Sequence, residues 1–289
     1  TLRMSILLGA VAISLAGCAP LTGAGGNTGS AGGNVSGQGG NASGQSAPVS
    51  VVASVRVWAD IAQAIGGKYV VATAVVHLAS QDPHSYQTTV RDQLAVNRAD
   101  VTITNGGSYD PFFAQLVANR PQSNAGARLD LAARLRAANL MVDPNPHLWY
   151  DLEYVRALVG VIGRTEAAAA GNQQATTSIL ANTAKFQLGI RVLEKQQMAL
   201  AKRVVGKPVI VTEAFASRML RHLALNDQTP REFKNAVEQE QDASPKVMRQ
   251  MQLQLASHQI ALLLVNIQTE GSQTNQLIQW ARQARVPAL

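Results

Sequence analysis

From Val49 onward the chain switches repeatedly between a period of two and a period near 3.6 in its apolar positions. "VSVVASVRVW" is a β-branched run that predicts a strand, and "ADIAQAIGG" follows with helical spacing and a Gly66-Gly67 stop. "YVVATAVVHL" predicts a second strand, "TVRDQLAVNRA" a helix, "DVTITNGG" a buried strand with a glycine turn, and "DPFFAQLVANR" a helix opened by Asp110-Pro111. A further apolar stretch ends at Val142. Between about Leu152 and Val205 no strand pattern intervenes. There, Ile179, Phe186, Ile190, Leu193, Leu200 and Val204 trace the stripe of one long helix. Alternation then resumes: strand "KPVIVTEAF", helix "ASRMLRHLAL", a Pro-containing loop, helix "SPKVMRQMQLQLASH", strand "IALLLVNIQ", helix "TNQLIQWARQA" and a strand start at "VPAL". A last helix would normally cover that strand, so the fold is expected to continue past Leu289.

Strands alternating with helices predict an α/β fold of two lobes. Each lobe has a parallel β-sheet flanked by helices, a long backbone helix joins them, and a cleft lies between. The boundaries read as an N-terminal lobe at 49–155, a connecting helical segment at 156–205 and a C-terminal lobe at 206–289.

The first 48 residues follow neither period. Arg3 precedes an apolar run from Met4 to Ala16 that is too short to span a bilayer, and Leu15-Ala16-Gly17 leads into Cys18, the only cysteine. This resembles a bacterial lipoprotein signal: residues 1–17 would be removed and Cys18 would carry lipid. Residues 18–48 are rich in Gly, Ser, Asn and Ala, and cannot bury enough surface to offset their ordering entropy. They read as a flexible tether of some 30 Å, at about 5–6 Å times the square root of length. The expected location is extracytoplasmic, with a lipid anchor to the cell membrane.

Composition narrows the function classes. Hydrophobic residues make up 46% and charged residues 15%, which suits chains folded around real cores. The net charge of +7 comes from scattered basic residues, and an aromatic content of 4% offers few stacking platforms, so nucleic-acid binding is not expected. One thiol supplies neither a disulfide framework nor a thiolate metal cluster.

The chemistry-bearing positions gather after strand-like runs, where open α/β sheets bind ligands. His84 follows "VVATAVVHL", His147 follows the stretch ending at Val142, Glu213 follows "PVIV", and Glu270 follows "LLLVNIQT". Two imidazoles and two carboxylates, two from each half, would make a closed site for a divalent cation. Imidazole suits zinc, copper, nickel or iron, and carboxylate oxygen moves the preference toward manganese. Pro83 and Pro146 precede the two histidines and restrict the local backbone. Asp82 or Asn105 would hydrogen-bond a ring nitrogen from outside the ligand set. His77, His222 and His258 lie in apolar runs and read as structural. No nucleophile elbow, phosphate loop, dinucleotide fingerprint or helical His-x-x-x-His motif appears.

From about Ser50 to its end the chain resembles the metal-binding lipoproteins of bacterial ABC importers for zinc and manganese. The resemblance is carried by "VVASVRVWADIAQAIGG", "QDPHSYQTTVRDQLAVNRADVTITNGGSYDPFFAQL", "NPHLWYDLEYV" and "NIQTEGSQTNQLIQWARQARVP". It implies a non-enzymatic, monomeric solute-binding protein that takes Zn²⁺ or Mn²⁺ as its transported ligand and delivers it to an ABC-transporter membrane permease. His84 and His147 match the first two family ligands, and Glu270 matches the fourth, with a longer side chain than the usual aspartate. Thr212 stands where zinc-type members carry a histidine, so Glu213 is either the third ligand, displaced by one place, or its neighbour. The histidine-rich loop of many zinc members is absent, and Leu152 replaces a proline common at that helix start. Two other readings compete. A secreted metal-dependent hydrolase would need an open coordination position and a general base. A surface adhesion or structural lipoprotein would hold only a vestigial site.

Overall fold

The computed structural model describes residues 47–78, 81–83, 85–124, 126–141, 145–239, 241–269 and 271–289. The leader, the tether as far as Ser46, Cys18, His84 and Glu270 therefore lie outside the described residues. Two parallel sheets organise the rest. The first has the strand order β2-β1-β3-β4, from Val70–Val76, Val49–Val55, Val101–Thr104 and Ala127–Asp130. The second has the order β6-β5-β7, from Asn226–Asp227, Pro208–Val211 and Leu262–Leu264. The predicted strand at "VPAL" appears as a parallel bridge between Ala288 and Leu263 at the free edge of β7.

β1 is buried on both faces, as a central parallel strand must be. Val51, Ala53 and Val55 pack with Trp58, Ile61 and Ile65 of α1 (Arg56–Gly66) and with Leu158 and Ile162 of α5 (Leu152–Ala169). Val52, on the other face, meets Val96 of α2 (Val90–Arg98) and Phe113 and Leu116 of α3 (Pro111–Ala118). The helix start read at Asp110-Pro111 is present, and α2 has a cap of its own. Thr89 and Asp92 form a capping box at α2, and Pro111 occupies the first turn of α3.

The second sheet is built the same way. Ile210 and Leu263 face α8 (Arg231–Glu238), α9 (Pro245–Ala256) and α10 (Ser272–Gln283). Val209 and Val211 pack with Phe215 and with Leu220 of α7 (Ser217–His222).

Between the sheets run α5 and α6 (Gln173–Val204), joined by three residues. Their backbones approach closely at Gly163, where an added Cβ would stand 2.1 Å from Thr183 Oγ1. The predicted stripe on α6 holds only in part. Ile179 and Ile190 are buried and Phe186 half-buried, whereas Leu193 and Leu200 stay exposed. Glu166 is wholly buried on α5, and burial pushes its carboxyl up to about 8, so at neutral pH it packs as the uncharged acid.

Two local expectations are corrected, and one stretch left unassigned takes its form. The first strand ends at Val55; Arg56, Val57 and Trp58 already belong to α1, because Trp58 opens the buried stripe continued by Ile61, Ala62 and Ile65. "ARLDLAARLRA" forms β4 and α4 (Leu131–Ala137), with Asp130 both ending the strand and capping the helix through Ala133 N–H. The Pro-containing loop includes β6 and α8, the latter held by the fully buried Phe233.

Candidate metal centre

Among the described residues no strand leads into His147. Leu140 and Met141 have no regular structure and pack against the core, and His147 enters from the turn that precedes α5. Two asparagines fix that turn. Asn105, just past β3, donates from Nδ2 to Pro146 O at 2.9 Å while its Oδ1 accepts from Trp58 Nε1 at 2.9 Å. Asn105 thus holds the backbone beside His147 rather than the ring. The ring partner is Asn145, which the sequence reading missed. Its Oδ1 accepts from His147 Nδ1 at 2.9 Å and from the His147 backbone N–H at 2.9 Å. Its Nδ2 donates to Ala214 O at 2.7 Å, which sets the orientation of the amide. The available signal was its place two residues before His147 in "NPH".

With Nδ1 donating to Asn145, the ring presents Nε2 to Glu213, 3.2 Å from Oε1. Both side chains are buried, at 3% and 4% exposure. Glu213 leaves the end of β5 in extended backbone and starts the 3-10 turn Ala214–Ala216. Its other oxygen, Oε2, accepts from Asn266 Nδ2 at 2.6 Å. Thr212, wholly buried, accepts the Asn266 backbone N–H on Oγ1 at 2.9 Å. Of the adjacent residues Thr212 and Glu213, it is therefore Glu213 that faces the imidazole.

An aromatic wall dries the site. The His147 ring meets Tyr109 edge-on, with centroids 5.2 Å apart, and Trp149 at 5.5 Å. Tyr109 is carried by a loop with three successive left-handed residues, Gly106, Gly107 and Ser108. At Gly106 a Cβ would lie 2.2 Å from Asp130 Oδ1, so only glycine fits there. Burial, with the charges of Glu213 and Asp82, raises the Tyr109 phenol well above its usual range and keeps it protonated. A cavity of about 200 Å³ borders the wall, lined in part by Tyr109, Trp149, Pro83 and Gln268. A larger cavity, of about 630 Å³, opens by Asp100 and Ala127 at the amino ends of β3 and β4, the ends away from this site.

A bare imidazole lone pair facing a carboxylate oxygen at 3.2 Å is repulsive, so the pair needs a proton or a cation between its atoms. The separation is close to the edge of a zinc tetrahedron, about 3.3 Å for bonds of about 2.0–2.1 Å. Among the described residues no group of three or more His, Cys, Asp or Glu converges. Of the four expected ligands, His147 and Glu213 are described and stand together, and His84 and Glu270 lie outside the described residues. His77 and His258 bond to the carbonyls of Val75 and Ala284, and His222 bonds to Asp151.

The fold is shared with solved periplasmic metal-binding proteins. The Mn-bound periplasmic metal-binding protein from Candidatus Liberibacter asiaticus superposes with a TM-score of 0.62 at 19% identity, covering 83% of this chain and 88% of that one. Its Cd-bound form gives 0.62 at 18% identity, covering 83% and 86%. A crystal structure of ZnuA gives 0.66 at 16% identity, covering 83% and 90%. No curated protein matches the sequence. The family model of ZnuA, the periplasmic component A of the zinc-uptake complex, matches residues 51–289, and the chain belongs to that family of metal-binding, solute-binding components of ABC importers. It is a transport family rather than an enzyme family.

Proposed function

We propose that this protein captures Zn²⁺ or Mn²⁺ outside the cytoplasmic membrane and hands it, as a monomer, to the permease of an ABC importer. His84, His147, Glu213 and Glu270 are its ligands, drawn in pairs from the lobes 49–155 and 206–289 on either side of the connecting segment 156–205. Cys18 anchors it through lipid, with residues 18–48 as the tether. The observation that carries this reading is the buried His147–Glu213 pair at 3.2 Å, oriented by Asn145 and Asn266. Such pairing of ligand with orienting amide is how metal sites hold their donors in register. No bond in the cargo is made or broken: the hydrated ion exchanges waters for imidazole and carboxylate. Among the described residues no helix is long and apolar enough to cross a membrane; the proposal assigns the membrane association to the signal segment and Cys18.

Metal analysis tests it. Purified protein incubated with Zn²⁺ or Mn²⁺ and then desalted should retain about one ion per chain. The double variant His84→Ala, His147→Ala should retain none. A wild-type protein that emerges metal-free from both incubations would contradict the proposal.

A further inference from the structure

The geometry points to Asn266 as a specificity-determining residue that makes Glu213 a one-oxygen donor and so tilts the centre toward zinc over manganese. This rests on the reading of His147 and Glu213 as metal ligands.

Asn266 follows β7, the strand paired in parallel with β5, so it stands beside Glu213 at the same end of the sheet. Three contacts hold it. Its backbone N–H donates to Thr212 Oγ1 at 2.9 Å, and its Oδ1 accepts from Gln268 N–H at 3.1 Å. Oδ1 must be the atom that meets Gln268, because a backbone N–H needs an acceptor. The amide is thereby oriented with Nδ2 toward Glu213. The third contact is that bond, Nδ2 to Oε2 at 2.6 Å, short because the acceptor is a carboxylate. Thr212 adds its own anchor, its backbone N–H donating to Leu264 O at 2.9 Å. The clamp is therefore part of the β5–β7 pairing.

The consequence for a cation follows from donor count. Oε1 faces His147 Nε2 while Oε2 is held by the amide. A two-oxygen mode would make Oε2 serve the cation and the Asn266 N–H together, which weakens or breaks a hydrogen bond in a part-buried setting where water does not readily replace it. One oxygen from Glu213 keeps the donor number near four, the number zinc favours. Two would raise it toward the six oxygen-rich donors that suit manganese.

Competition titrations with Zn²⁺ and Mn²⁺ against a calibrated chelator, on wild type, Asn266→Ala and Asn266→Asp, test this. In Asn266→Ala the ratio of zinc to manganese affinity should fall by about tenfold, the lower end of the range for groups that orient a ligand. X-ray absorption of the zinc-loaded variant should show a higher coordination number than wild type. Asn266→Asp cannot donate to Oε2 and should lower the ratio as well. Equal loss of affinity for both metals in Asn266→Ala, or an unchanged ratio, would overturn the specificity role while the metal centre stands. A wild type that binds neither ion would overturn the metal centre itself, and this inference with it.

Discussion

Glu213→Ala is expected to lower zinc affinity by at least about a hundredfold. Removing a group that only orients a ligand costs about 10- to 100-fold, so removing a donor sets a larger loss. Glu213 supplies the charge that faces His147 Nε2, and its side chain is 4% exposed, so water cannot readily replace it. The variant also strips Asn266 Nδ2 of its acceptor in a partly buried site. Glu213→Gln should recover little, because a neutral amide oxygen is a weaker donor and its NH₂ would turn toward Asn266 Nδ2 or His147 Nε2. Chelator-competition titration checks both variants. Unchanged affinity in Glu213→Ala would remove Glu213 from the ligand set.

The second large effect concerns stability. Asp151 is wholly buried four residues after His147 and collects four donors. Its Oδ1 caps α5 through Glu153 N–H at 2.9 Å and Tyr154 N–H at 3.2 Å, and its Oδ2 takes Arg218 Nε and, at 3.1 Å, His222 Nε2. Arg218 also lies over the Tyr154 ring, 4.0 Å from its centroid. The cluster ties α7 to the start of the connecting helices. Asp151→Ala leaves a buried guanidinium without its counter-ion and uncaps α5, which together should cost about 3–5 kcal/mol. Asp151→Asn keeps the cap oxygen and should cost less. Burial alone would raise the Asp151 carboxyl, but the bonds from Arg218, His222 and Tyr154 N–H win and hold it below its ordinary 3.8. Its contribution is therefore present above that value and is lost as the pH falls through the lower folded one. Urea unfolding at pH 7 measures the loss, and an Asp151→Ala variant as stable as wild type would show that the cluster bears no load.

Most of the architecture was legible in the sequence because the central strands of both sheets are buried on two faces. Runs such as Val49–Val55 and Pro208–Val211 then have no polar alternation to blur them. What escaped was short or set by partners. β4 is four residues at a sheet edge, and β6 is two. Leu193 and Leu200 fit a helical stripe, but periodicity does not say which part of a stripe its neighbours cover. At the site, the spacing after β5 located Glu213, whereas His147 proved to come from a turn. Asn145 and Asn266 were not legible as orienting groups, because an asparagine beside a proline or a strand end usually means a turn. Only the third dimension shows which carbonyl, ring or carboxylate each amide meets.

The most direct test of the metal centre is the anomalous scattering map of a zinc-loaded crystal, collected on both sides of the zinc edge. The account predicts one strong peak about 2.0–2.1 Å from His147 Nε2 and from Glu213 Oε1, with Asn266 still bonded to Oε2. A peak elsewhere in the protein, or none at the His147–Glu213 pair, would contradict it.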